Sequence, residues 1–170
     1  AGERLAPIEL STLRHGLVRV PGPARFHLQF RRFAGCPICN LHLRSFAEGQ
    51  DRLEAAGVRT VAFFHSPAEL MQPYQGALPF PTVPDPERSW YRHFGVERSL
   101  LAVAHPRAIV SALRGLASAP SNPLAGGIDQ TGLPADFLIE QDGTIARVHY
   151  GAHADDQWSV DELLVVAGAG

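Results

Sequence analysis

The chain has 170 residues, of which 45% are hydrophobic and 19% charged, and its formal net charge is −2. This composition is typical of a globular protein with one domain over residues 1–170, and the weak net charge argues against nucleic-acid and membrane partners. The chain has no apolar run long enough to cross a bilayer, and its two cysteines do not form a disulfide scaffold, so we expect a reduced, cytoplasmic protein.

The N-terminal part of the chain predicts strands before any helix. Residues 1–24 are expected to be an irregular N-terminal extension, without regular structure over 1–15 and with a short strand, GLVRV, at 16–20. FHLQF at 26–30 alternates apolar and polar residues, which is typical of a strand. From Pro37 onward the apolar residues recur at helical spacing, and Gly57 is placed to end that helix.

The middle of the chain predicts two strands and three helices. SPAE at 66–69 has the pattern of a helix start, with Ser66 as N-cap and Glu69 completing a capping box. The remaining elements are a buried strand VRTVAFF (58–64), an edge strand FPTV (80–83), a short helix from Asp85 to Phe94, and a helix over 105–119 that carries Ile109, Leu113 and Leu116 on one stripe.

The C-terminal part predicts a hairpin and a last helix. PADFLIE (134–140) and TIARVHY (144–150) flank the turn QDG, and SVDE (159–162) is a second capping box. Helices that alternate with strands and a late hairpin indicate an α/β fold, with a central mixed sheet flanked by helices on both faces.

CPIC, at the start of the first predicted helix, contains both cysteines, Cys36 and Cys39. A sulfur at this place lies near unpaired backbone N–H groups and the positive end of the helix dipole, which favour the nucleophilic thiolate. Arg31 and Arg32 stand just upstream and add positive charge. Cys39 follows one turn later, close enough for a reducible disulfide. The residues therefore predict a redox dithiol with Cys36 as nucleophile.

Three other interpretations of the pair stay open. A metal site would need more ligands than His42 supplies nearby, and His149 and His153 lie far along the chain. A structural disulfide would close too short a loop to stabilise the fold much. The two cysteines can also be buried and inert.

The strand before CPIC, CPIC itself and GLPADFLIE-QDGTIARVHYG together resemble the thioredoxin-like fold over about residues 25–167, and more closely its peroxiredoxin-like (AhpC/TSA) branch. The resemblance implies an antioxidant enzyme that reduces hydroperoxides with Cys36 and Cys39. It also implies a thioredoxin- or glutaredoxin-type external thiol reductant and no cofactor of its own. Dimers are common in this family, and an exposed edge strand would permit a homodimer.

The resemblance also implies supporting residues around the dithiol. A cis-proline beside the redox cysteine corresponds to Pro134, after Leu133. An arginine that polarises the peroxide corresponds to Arg107 or Arg32. Asp136 lies two residues beyond Pro134 on the same strand face and is a candidate proton acceptor.

The chain departs from the motif of the resembled family. Peroxiredoxins carry Pro-x-x-x-Thr/Ser-x-x-Cys around the peroxidatic cysteine. With Cys36 as nucleophile, Phe33 occupies the Thr/Ser place; with Cys39, Cys36 occupies that place and Arg32 the place of the Pro, so neither choice restores the motif. Thiol–disulfide exchange does not need this hydroxyl, so a protein disulfide reductase is the alternative activity. A non-catalytic redox-sensing or interaction module is the alternative of another class.

Overall fold

The computed structural model describes residues 1–96, 106–118, 120–126 and 132–168. Over these residues, the strands are β1 (Ile8–Ser11), β2 (Leu17–Val20), β3 (Arg25–Phe30), β4 (Val58–Phe64), β5 (Thr82–Pro84), β6 (Ala135–Ile139) and β7 (Ile145–Tyr150). The helices are α1 (Pro37–Glu48), α2 (Gln50–Ala55), α3 (Ala68–Gln75), α4 (Ser89–His93), α5 (Pro106–Ser118) and α6 (Val160–Val166), with a 3₁₀ turn at Pro123–Gly126.

The central sheet has the strand order β5-β4-β3-β6-β7. β3, β4 and β5 are parallel, whereas β6 runs antiparallel to both β3 and β7. The predicted mixed sheet, the edge position of β5 and the β6–β7 hairpin are therefore confirmed.

The two faces of this sheet bury different sets of side chains because alternate residues of a strand point to opposite sides. On β3, Phe26 and Phe30 join an apolar cluster that also contains Tyr91 of α4 and the buried residues of the β1–β2 hairpin. The opposite face packs under α1, α3, α5 and α6. The predicted helices on both faces are confirmed, with a hairpin beside α4 on one side.

The N-terminal extension is more ordered than the sequence predicted. β1 pairs with β2, with Leu10 opposite Val18 and both side chains buried, so the expectation of irregular structure up to residue 15 is wrong. The same extension meets both edges of the central sheet: Leu13 N–H donates to Thr82 of β5, and Ile145 of β7 donates to Glu3. Unpaired hydrogen-bonding groups on an edge strand promote aggregation. The bonds from the N-terminal extension occupy some of these groups on both edge strands.

Three predicted helices differ in extent from the observed ones. The helix predicted from Asp85 begins at Ser89, as α4. The helix after Pro37 breaks at Gly49, where a Cβ atom would lie 2.9 Å from Cγ1 of Val160, so the approach of α6 leaves room only for glycine. The prediction of a capping box at SPAE is wrong, because α3 begins after Pro67. The Ser66 Oγ instead accepts a hydrogen bond from the Ala34 N–H at 3.0 Å. The second predicted box, at SVDE, is confirmed at the start of α6.

A network of buried polar groups lies between β3, β6 and α1. The Asp136 carboxylate accepts from Arg31 Nη2 at 2.7 Å and from His27 Nε2 at 2.8 Å, and all three side chains are fully buried. Burial alone would raise the pKa of Asp136, but the positive charge of Arg31 and the hydrogen bond from His27 outweigh it and hold that pKa far below its usual range. The carboxylate is therefore ionised and paired.

Two histidines are held neutral around this network. Burial lowers the pKa of His27, and removal from water together with the charge of Arg31 lowers the pKa of His42 well below its usual value. Arg31 Nη2 lies 3.1 Å from His42 Nε2, and because a guanidinium can only donate, this nitrogen must be unprotonated.

Within the described ranges, no helix has both the length and the apolar character that crossing a membrane requires.

The neutral histidines predict that the fold loses stability in mild acid. In the unfolded chain both histidines would have a pKa of about 6.5, so below that pH the unfolded state binds more protons than the native state. The free energy of unfolding should therefore fall as the pH drops from about 7 to about 5. We expect urea denaturation at several pH values to show this loss, and His42→Leu to reduce its slope. The exposed His15→Leu is the control, and a slope unchanged in His42→Leu would contradict the assignment.

Candidate active site

Cys36 is the N-cap residue of α1, as the sequence predicted. Its Sγ accepts from the Cys39 N–H at 3.3 Å, and Pro37 occupies the first helical turn, where no N–H is needed. The sulfur thus takes the place that a Ser or Asp oxygen takes at an ordinary helix start. A negative charge on this sulfur is stabilised by the N–H groups and the dipole of the helix.

Arg32 is the cation at this sulfur. Its Nη1 lies 3.7 Å from Cys36 Sγ, and its side chain is almost fully buried. Arg31, the preceding residue, points instead to Asp136. Of the two arginines upstream of the dithiol, Arg32 therefore lies against the Cys36 sulfur, whereas Arg31 pairs with Asp136 inside the fold.

The two thiols have opposite ionisation tendencies. Burial would raise the pKa of Cys36, but the hydrogen bond from the Cys39 thiol, the charge of Arg32 and the backbone N–H groups outweigh it and lower the pKa to about 7. Burial, together with the hydrogen bond and negative charge of Cys36, raises the pKa of Cys39 well above its usual value. The thiolate that forms as the pH rises through 7 therefore lies on Cys36, whereas Cys39 stays a thiol.

Both cysteines are free thiols, with 0% of Cys36 and 2% of Cys39 exposed. α5 covers the start of α1 so closely that a Cβ atom at Gly115 would lie 2.2 Å from the Pro37 carbonyl oxygen. The segment after α5 continues the cover, since Asn122 N–H donates to the Gly35 carbonyl at 2.9 Å.

A pair of buried amides holds the loop before Cys36. Asn40 Nδ2 and Gln75 Nε2 both donate to the Ala34 carbonyl, at 2.9 Å each, and Gln75 also donates to Asn40 Oδ1. Asn40 Nδ2 further donates to the Pro120 carbonyl. Sequence reasoning missed both residues. The available signal was a polar residue four positions after Cys36 on a helix face that is otherwise apolar.

A second basic pair, also missed, adjoins Arg32. Arg88 Nη2 lies 3.2 Å from His65 Nδ1, and a Cβ atom at Gly132 would lie 3.5 Å from His65 Nε2 and 3.7 Å from Arg32 Cγ. Arg88 has a left-handed backbone (φ 56°), rare for a residue other than glycine. Since arginine only donates, a neutral His65 carries its proton on Nε2.

The structure does not bring every predicted residue to the thiols. Arg107 is exposed at the start of α5 and lines a surface depression with Arg114 and Asp155 that includes neither cysteine. Asp136 bonds to Arg31 and His27, so its predicted use as a proton acceptor for the dithiol gains no support from its contacts.

Pro134 is buried at the start of β6, beside Gly151, but its predicted cis bond is wrong. Among the described residues the cis peptide bond is Val20–Pro21. X–Pro bonds are trans by default, and Gly132, at a φ of +152°, already turns the chain ahead of the strand. Pro134 also borders a cavity of about 420 Å³ with Leu133 and Tyr150. Its part in binding substrate stays a prediction.

The metal alternative gains no support from the downstream histidines. His149 Nε2 bonds to Asp156 at 2.9 Å, and His153 Nδ1 accepts from the Asp155 N–H. In the part of the chain that the structure describes, no three His, Cys, Asp or Glu side chains are grouped to hold an ion.

The sequence matches the family model of the AhpC/TSA antioxidant enzymes over residues 45–153. The match begins after both cysteines, so it rests on the sheet and helices that follow the dithiol. No curated protein sequence matches the chain.

Solved structures with similar folds span the whole chain. Peroxidoxin BcpB from Mycobacterium tuberculosis is 15% identical, with a TM-score of 0.67 over 99% of this chain and 94% of that one. The reduced 2-Cys peroxiredoxin of Plasmodium vivax is 14% identical, with a TM-score of 0.71 over 99% and 80%. A protein described as thiol:disulfide interchange protein DsbE, from Chlorobium tepidum, is 18% identical, with a TM-score of 0.60 over 98% and 97%. At these identities they confirm the thioredoxin-like fold.

The contact between Arg32 and Cys36 predicts how the thiolate responds to substitution. Arg32→Met should raise the pKa of Cys36 by roughly one unit because an opposite charge beside the sulfur is lost. Thiolate absorbance at 240 nm, followed against pH, measures this directly. Arg107→Met is the matched control and should leave the titration unchanged. A shift in Arg107→Met without one in Arg32→Met would reverse the assignment of the cation.

Proposed function

The chain belongs to the AhpC/TSA antioxidant enzyme family, with the fold of thiol-based oxidoreductases, and from this premise we propose that it reduces hydroperoxides with the Cys36–Cys39 dithiol. The observation that carries the proposal is the asymmetry of the pair. Cys36 has a pKa lowered to about 7, whereas the pKa of Cys39 is raised. A nucleophile and a resolving thiol need this difference.

In the first step, the Cys36 thiolate attacks the terminal oxygen of the hydroperoxide. The O–O bond breaks, the sulfur is oxidised to a sulfenic acid, and the other oxygen leaves as an alkoxide that takes a proton to become an alcohol. Arg32, whose guanidinium contacts the attacking sulfur, is placed to stabilise negative charge on the peroxide oxygens as it develops.

In the second step, Cys39 resolves the sulfenic acid. Its thiol gives up a proton and attacks the Cys36 sulfur, hydroxide leaves as water, and a disulfide forms between the two residues. An external dithiol then supplies two electrons by thiol–disulfide exchange and restores both thiols. A thioredoxin- or glutaredoxin-type protein in a reducing compartment such as the cytoplasm would serve, and the cycle needs no resident cofactor.

Protein disulfide reduction is the second candidate, and the residue at position 33 favours it. Phe33 is a buried core residue, and it stands where peroxiredoxins have the hydroxyl that helps bind peroxide. Attack of the Cys36 thiolate on a substrate disulfide needs no such group, because the sulfur that leaves carries the developing charge itself. The likeness to the fold of a DsbE protein is compatible with this activity.

We expect Cys36→Ser to lower peroxide consumption with dithiothreitol by on the order of 10³-fold or more, because the nucleophile is lost. Cys39→Ser should still react once per molecule and retain a sulfenic acid on Cys36 that dimedone traps. Mass spectrometry of the trapped protein identifies the modified residue.

Insulin reduction, measured on the same variants, distinguishes the peroxidase from the protein disulfide reductase. Peroxide turnover with little insulin reduction supports the peroxidase, and the reverse supports the disulfide reductase. A dimedone adduct on Cys39 in Cys36→Ser, formed at the wild-type rate, would overturn the roles of the two cysteines. A dithiol that reacts in neither assay would leave only a sensing or interaction module.

A further inference from the structure

Two buried amides meet at one backbone carbonyl in front of the dithiol. Asn40 of α1 and Gln75 of α3 both donate to the Ala34 carbonyl oxygen, at 2.9 Å each. Gln75 Nε2 also donates to Asn40 Oδ1, and the second proton of Asn40 Nδ2 goes to the Pro120 carbonyl, both at 2.8 Å. Every amide proton of the pair therefore has an acceptor, and both lone pairs of the Ala34 carbonyl are used.

The amides are not needed to pack the two helices together. Apart from them, the buried residues of α1 and α3 are apolar residues and one thiol: Pro37, Ile38, Cys39, Leu43, Phe46 and Met71. Gln75 Oε1 is buried, and no donor among the described residues lies within hydrogen-bond distance of it, which costs free energy. A rotation of the amide by 180° would place this oxygen against the Ala34 carbonyl oxygen. The pair is therefore arranged for the Ala34 carbonyl, at the expense of another polar atom.

Ala34 lies in the middle of the turn that leads into α1. The Cys36 N–H donates to the Phe33 carbonyl at 3.0 Å, so residues 33–36 form a β-turn with Ala34 and Gly35 at its centre. Types I and II of such a turn differ by a flip of the central peptide, and a glycine at the third position permits both. Gly35 lies outside the positive-φ region, which excludes type II. The amides bind the oxygen of this central peptide and so keep the turn in one form.

Ser66 binds the other backbone group of Ala34. Its Oγ accepts from the Ala34 N–H at 3.0 Å, and the residue is buried. Three buried polar side chains from separate segments therefore hold one alanine, two residues before the Cys36 sulfur. Cys36 follows with an extended backbone, and its carbonyl accepts the first helical bond from the Asn40 N–H at 3.0 Å. Asn40 thus holds the chain on both sides of Cys36, by its side chain before it and by its N–H after it.

We propose that Asn40 and Gln75 are positioning residues of the dithiol: they hold the turn before Cys36 so that its sulfur stays at the N–H groups that begin α1. The Cys36 Sγ accepts from the Cys39 N–H while Cys36 keeps its extended N-cap conformation. A turn that is free to change form populates this conformation for only part of the time, and the thiolate loses its hydrogen bond for the rest. The inference rests on the nucleophilic role proposed above for Cys36.

Substitutions that each leave the Ala34 carbonyl one donor test the positioning. Gln75→Met and Asn40→Leu should each raise the pKa of Cys36 by roughly half a unit, and the double variant by about one unit, because the thiolate loses hydrogen bonding. Thiolate absorbance at 240 nm, followed against pH in the reduced protein, measures the shift. Gln72→Met changes an exposed glutamine of the same helix and should leave the titration unchanged.

The pH dependence of peroxide consumption gives a second measurement. From a Cys36 pKa of about 7, a rise of about one unit lowers the thiolate fraction about fivefold at pH 7 and hardly at all at pH 9. The double variant should therefore consume peroxide about fivefold more slowly than the wild type at pH 7 and at nearly the same rate at pH 9. A wild type that consumes no peroxide would contradict the proposed function, and the titration, which needs no oxidant, would still decide the positioning.

Urea denaturation of the same variants distinguishes positioning from a purely structural role. Loss of a buried hydrogen bond lowers the free energy of unfolding in either case. Folded variants that are less stable but keep the wild-type pKa of Cys36 would overturn the proposal, and so would an equal pKa shift in Gln72→Met. Circular dichroism identifies the folded variants. If the double variant does not fold, the two single variants decide, because the Ala34 carbonyl keeps a donor in each.

Discussion

The buried ion pair between Arg31 and Asp136 fixes the end of β3, and the loop that carries the dithiol starts from that end. The pair joins β3 to β6, and through His42 it also contacts α1. Such a pair adds little net stability because both charges lose their water, but removing one partner leaves the other charge buried and costs about 3–5 kcal/mol. The Arg31 carbonyl is held in addition by the Tyr91 hydroxyl. The Arg31 N–H also donates to the Phe63 carbonyl, so both backbone groups of Arg31 are bonded where Arg32 leaves the strand toward Cys36.

The two thiols ionise differently because the cost of burying a negative charge is offset at Cys36 and not at Cys39. Burial disfavours a thiolate on either cysteine. At Cys36 the hydrogen bond from the Cys39 thiol, the charge of Arg32 and the helix N–H groups more than offset this penalty. At Cys39 the hydrogen bond to Cys36 and the negative charge of Cys36 add to it. Once Cys36 is ionised, a second negative charge three residues away is strongly opposed. The pair therefore titrates as a unit, with its first proton lost from Cys36 near neutral pH.

The sequence predicted what local patterns determine and missed what tertiary contacts decide. Alternation identified β3, the turn QDG identified the β6–β7 hairpin, and the Ser159 capping box formed as expected. The same pattern at Ser66 failed because its hydroxyl meets the Ala34 N–H, a contact between distant segments that no local pattern shows. Helical periodicity placed Leu113 on an apolar stripe but could not tell whether that stripe faces the core. Likewise, two adjacent arginines look equivalent in sequence, and only the neighbours that the fold supplies separate the role of Arg31 from that of Arg32.

The burial of Cys36 makes access to the thiolate depend on the segments that cover it. A sulfur with no exposed surface cannot meet a protein reductant in the arrangement seen, so the proposed redox cycle requires part of this cover to open. The close contact of Gly115 with Pro37 and the hydrogen bonds from Asn40 to the Pro120 carbonyl and from Asn122 to the Gly35 carbonyl hold that cover, so these are the contacts that a local opening would break.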